Sequence, residues 1–68
     1  MRISDMQSRP IPRSEIESHL DSLVGANGDG VLALVEARAR QVAVLGGPTF
    51  TANALALAQA AGERRLNK

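Results

Sequence analysis

Apolar positions recur at helical spacing along most of the chain after residue 13. Ile16, Leu20, Leu23 and Val24 fall at i, i+4, i+7 and i+8, opposite Glu17, Asp21 and Ser22, the pattern of a helix buried along one narrow face. Ser14 followed by Glu17 reads as a capping box at its start, and the pattern predicts an end near Ala26. Gly25-Ala26-Asn27-Gly28-Asp29-Gly30 then offers residues that tolerate positive φ or cap a helix, which predicts a tight helix-to-helix turn. A second helix, capped by Asp29, is predicted through Val31, Leu32, Leu34, Val35, Ala39, Val42 and Leu45 until Gly46-Gly47-Pro48 stops it. On a helical wheel its apolar arc centres on Val31, Val35 and Val42.

A third helix is predicted from Thr51, with Phe50 and Leu55 as a hydrophobic staple across its start. One of its faces carries Ala54, Leu57, Ala58 and Ala61, and another carries Leu55 and Leu66. No comparable period precedes Ser14, and Pro10 and Pro12 mark residues 1–13 as an extended, flexible arm. The expected fold is therefore all-α: a short helical hairpin or three-helix arrangement over residues 14–68, with the second helix central and a flexible N-terminal arm over 1–13.

Composition narrows the chemistry. Eight basic and seven acidic residues leave a formal net charge of +1, too small for a global field that draws the molecule to nucleic acid or an anionic membrane. Cysteine is absent and His19 is the lone histidine, which excludes a disulfide framework, a thiolate nucleophile and a multi-histidine zinc site. No cofactor is expected. A chain of 68 residues buries only roughly 60% of its unfolded surface, so an oligomer or a partner is the expected source of added stability. The start of the chain carries no apolar targeting segment and no window reaches a membrane span, which predicts a cytoplasmic location. Seven of the eight basic residues are arginine, pointing to a GC-rich bacterial or phage source.

Three constellations carry candidate chemistry. From Gly25 to Glu36 the chain resembles an EF-hand calcium loop, with Asn27 and Asp29 at the third and fifth places, Gly30 at the sixth, Leu32 at the eighth and Glu36 at the twelfth. Gly25 stands where such loops carry an aspartate. The resemblance implies a calcium-binding module that uses Asn27, Asp29 and Glu36, while the same residues equally suit a plain turn. Arg64, Arg65 and Lys68 form a basic C-terminus that suits phosphate contacts in a small DNA-binding regulator, although the following-helix pattern Ala52-Asn53-Ala54-Leu55-Ala56 offers mostly methyl groups to base edges. Glu15 lies one turn before His19, but no nucleophile or oxyanion donor accompanies the pair, so no enzyme is expected.

The leading reading is a non-catalytic helical protein-protein interaction module: a bacterial or phage adaptor, inhibitor or assembly protein, self-associated or docked on a larger protein. Arg38 falls between Leu34 and Val42 on the apolar side of the second helix, and Val44 falls on its polar side. Together with Leu55 and Leu66 they are the expected interface.

Overall fold

The structure is a computed structural model and describes residues 2–67. Among them the chain is all-α, as expected, with four helices and no strand: α1 (Ile3–Ser8), α2 (Arg13–Asn27), α3 (Val31–Val42) and α4 (Pro48–Leu66). A 3₁₀ turn, Ala43–Leu45, extends α3. The buried cluster joins Met6, Ile11, Ile16, Leu20, Leu32, Ala39, Ala43, Ala54, Leu57, Ala58, Ala60 and Ala61. Only Ile16, Leu20 and Leu32 are large side chains that are completely enclosed.

The stripe on α2 behaves as its spacing predicts: Ile16 and Leu20 are buried, Leu23 and Val24 are half-buried, and the helix ends within a residue of the expected place. Its cap differs. Pro12, in an extended conformation, stands at the N-cap and no side chain caps the first turn. Glu17 turns instead to Arg13 of its own helix and Arg64 of α4, because charged partners outcompete a neutral backbone amide. At the other end Gly28 takes φ +81° and its amide donates to the Val24 carbonyl at 2.8 Å, the left-handed stop that glycine permits. Gly30, not Asp29, then occupies the N-cap of α3.

α3 is rotated relative to its predicted wheel. Leu32, Ala39 and then Ala43 are buried, Val31, Val35 and Val42 are half-buried, and Leu34 faces solvent. Small Ala39 and Ala43 share the core with Ala54, Ala58 and Ala61 of α4, so α3 presents its alanines, which allow close helix approach, in place of its valines. α4 starts at Pro48, with proline in the first turn and Gly47 at the N-cap. Thr51 therefore sits inside the helix, where its hydroxyl donates to the Ala43 carbonyl, and Phe50 lies against the core while Leu55 points outward. The Phe50–Leu55 staple does not form.

Two further corrections concern architecture. The central element is α4, which packs on α1, α2, α3 and the 3₁₀ turn; its buried Asn53, Ala54, Leu57, Ala58, Ala60, Ala61 and Gly62 wrap most of its circumference. The segment read as an arm contains α1, with Met6 and Ile11 buried. Asn53 holds it there: its Oδ1 accepts from the Ile11 amide at 2.8 Å, and its Nδ2 donates to the carbonyls of Met6 at 2.7 Å and Arg9 at 2.8 Å. A buried amide that satisfies three backbone groups fixes a short helix which lacks the length to be stable alone.

Candidate functional site

Ion pairs tie the outer helices to α4. Arg64 meets Glu17 at 2.8 Å and Asp21 at 2.7 Å, while Arg13 bridges Glu17 at 3.0 Å and Glu63 at 2.6 Å. On the other side Arg65 meets Glu36 at 2.8 Å, and Arg40 reaches the same carboxylate at 3.2 Å. Gly62 makes room for this pair, since a Cβ there would stand 2.7 Å from Glu36 Oε2. Arg64 and Arg65, the cations that the alternative DNA-binding reading would set on phosphate, are thus already paired with carboxylates; Lys68 lies outside the described residues.

The loop residues that resemble a calcium site are not drawn into one shell. Glu36 turns toward α4, and the Asn27 amide donates to the Leu23 carbonyl at 3.0 Å. Among the described residues no group of three or more acidic or histidine side chains is placed to hold a metal ion. Nor does the Glu15–His19 pair form: Glu15 bonds Arg9 at 3.0 Å, and His19 lines an apolar groove.

That groove draws its lining from all four helices. It has a volume of about 460 Å³ and is lined by Ile3, Met6, His19, Leu23, Leu34, Val35, Arg38, Ala39, Val42, Phe50, Ala54 and Leu57. A second hollow, of about 550 Å³, is walled by Arg13, Glu17, Glu63 and Arg64 among others, whose charges already neutralise one another. Arg38 differs from them. Among the described residues it makes no hydrogen bond or ion pair, and it stands exposed at the rim of the groove.

The expected interface residues lie on different elements. Val44, beside Leu45, sits on the 3₁₀ turn at the α3–α4 corner; Leu55 and Leu66 sit eleven residues apart on the outer face of α4, close to three helical turns; Arg38 belongs to the groove. All are exposed. Sequence patterning missed the exposure of Ile3, Leu34 and Leu45. For Leu45 a signal was present, since it abuts Gly46-Gly47-Pro48 at the end of a helix where covering neighbours run out.

Two groups set the acid response. Burial pushes the His19 pKa below its ordinary 6.5, and hydrogen bonds from Arg13 and Arg64 hold the Glu17 carboxyl below its ordinary 4.5. In both cases the unfolded chain takes up the proton first, so stability is present above the unfolded value and is lost as pH falls through the folded one. Thermal midpoints should therefore decline from pH 6.5 downward, with a second decline below pH 4.5. His19→Gln should remove the first phase and Glu17→Gln the second; a midpoint constant between neutrality and pH 4 would contradict the assignment.

Comparison with known protein families, with curated proteins and with solved structures finds no match to this chain. No helix among the described residues is long and apolar enough to cross a membrane.

Proposed function

We propose that this chain is a non-catalytic helical interaction module whose apolar faces are covered by another protein or by a second copy of itself. One observation carries the reading. Val44 is 81% exposed, Leu45 78%, Leu66 74%, Leu34 70%, Ile3 68% and Leu55 50%, whereas the large side chains fully enclosed among the described residues are Ile16, Leu20 and Leu32. Single exposed leucines are ordinary on any surface. Here six large aliphatic side chains, which a small domain could use in its core, are turned outward together, and burying one such side chain contributes roughly 1.5–3 kcal/mol. The pairing of Arg64 and Arg65 with carboxylates, and of Glu36 with two arginines, leaves the apolar surface as the feature with unspent binding capacity.

The test is the sedimentation of the chain, both pure over a concentration series and in extract of its native source. The reading expects a species larger than the 7.2 kDa monomer in at least one setting, and expects Val44→Asp or Leu55→Asp to return it to monomer while helical content is retained. Leu32→Asp, in the core, should instead lose the helical signal. A monomer in both settings, indifferent to both surface changes, would contradict the proposal.

A further inference from the structure

The groove beside α3 differs from the other exposed apolar positions in carrying charge of one sign. Its lining includes no carboxylate, while Arg38 stands at its rim. Arg9, Arg13, Arg40, Arg64 and Arg65 each meet an acidic partner; Arg38, among the described residues, meets none. An apolar trough with an unpaired guanidinium at its rim is complementary to an apolar surface with a carboxylate at its edge.

Shape distinguishes the occupant. Ile3 of α1 and Leu34 of α3, both in the lining, are each about two-thirds exposed, so the trough is open to solvent at these residues and would leave part of a small ligand in water, whereas small-molecule pockets enclose roughly 70–90% of theirs. On the α3 side the wall runs through Leu34, Arg38 and Val42, positions i, i+4 and i+8, about 12 Å at the helical rise. Two turns of a second helix match that length, with apolar side chains at i, i+4 and i+7 entering the trough and covering its rims.

Resting on the interaction-module reading above, we propose that this groove receives an amphipathic helix of a partner protein, with an acidic side chain of that helix paired to Arg38. Leu23, Val35 and Val42 contact its apolar face, and Ile3 and Leu34 close over its sides. Exposed Arg38 adds specificity: a rim pair is worth little in affinity, but a like charge at the same place is repelled.

The test uses two blocked helical peptides with leucines at i, i+4 and i+7, one carrying glutamate and its twin lysine beside the middle leucine, together with dodecanoate as a small amphipathic carboxylate. Binding is read from amide and methyl shifts of the labelled full chain. The glutamate peptide should perturb Leu23, Leu34, Arg38 and Val42, bind roughly fivefold or more tightly than its lysine twin, and exchange that preference in Arg38→Glu, a surface change that leaves the core untouched. Equal binding of the two peptides, or an unchanged preference in Arg38→Glu, overturns the pairing. Saturation of the groove by dodecanoate with neither peptide binding overturns the helical occupant. Shifts confined to Val44, Leu55 and Leu66, or no peptide binding by a chain that assembles through Val44 and Leu55, overturn the groove assignment and leave the interaction module standing.

Discussion

Leu20→Ala should lower the free energy of unfolding by about 2–5 kcal/mol, the range for deleting a fully enclosed leucine and leaving a cavity. Leu20 is completely buried and is one of only three large side chains that are. A core in a domain this small supplies about 3–5 kcal/mol net, so the substitution removes most or all of the margin, and the variant should be largely unfolded at 37 °C. Leu66→Ala, with 74% of that residue exposed, should change stability by no more than about 0.5 kcal/mol. Urea denaturation followed by circular dichroism measures both. Comparable losses from the two substitutions would mean that Leu66 is enclosed in the isolated chain and that the division into core and outward faces is wrong.

Asn53→Ala should release α1 while α2, α3 and α4 stay packed. The side chain is 4% exposed and satisfies the Ile11 amide and the Met6 and Arg9 carbonyls. Each buried backbone group left without a partner costs about 1–3 kcal/mol, which six residues of helix on a few apolar contacts cannot offset. The segment therefore finds it easier to detach and let water satisfy those groups. Hydrogen exchange should show residues 3–11 losing protection by two or more orders of magnitude, while amides in the α3–α4 pair change little. Unaltered protection over 3–11 would show that Met6 and Ile11 hold the segment by burial alone. Because Ile3 and Met6 form one wall of the groove, the same variant should also bind the acidic helical peptide more weakly.

What patterning along the chain could reveal follows from the range of each interaction. Ile16 and Leu20 are legible because α2 buries a single narrow stripe, and Gly28 because its left-handed φ is a local requirement. α1 is illegible: the group that stabilises it, Asn53, lies 42 residues beyond Ile11, and nothing within residues 1–13 signals that partner. α3 misleads for another reason. Apolar residues surround much of it, so a wheel cannot separate an arc of valines from the neighbouring arc of Leu32, Ala39 and Ala43 that close packing against α4 selects. In α4 the face of Ala54, Leu57, Ala58 and Ala61 is buried as its spacing predicts, while the burial of Asn53, Ala60 and Gly62 beside it follows from packing on α1, α2 and α3, which local spacing does not carry. Ser14, Asp29 and Thr51 were plausible caps by residue type, yet Pro12, Gly30 and Gly47 take those places, because helix ends here are set by backbone turns and by side chains engaged elsewhere. The exposed positions of Val44, Leu55 and Leu66 follow from their place on each helix, but the unpaired state of Arg38 emerges only once its neighbours Arg40 and Arg65 are seen to share Glu36.

Methyl accessibility tests the central claim most directly. The chain, labelled at its isoleucine, leucine and valine methyls, is exposed to a soluble paramagnetic probe first as a dilute pure protein and then in concentrated extract of its native source. The account predicts that in the dilute state the methyls of Val44, Leu45 and Leu66 are strongly relaxed and those of Leu20 and Leu32 are not, and that in the extract the first group becomes shielded while the second is unchanged. Methyls of Val44, Leu45 and Leu66 that remain equally relaxed in both settings would show that these faces are not covered, and would contradict a function built on covering them.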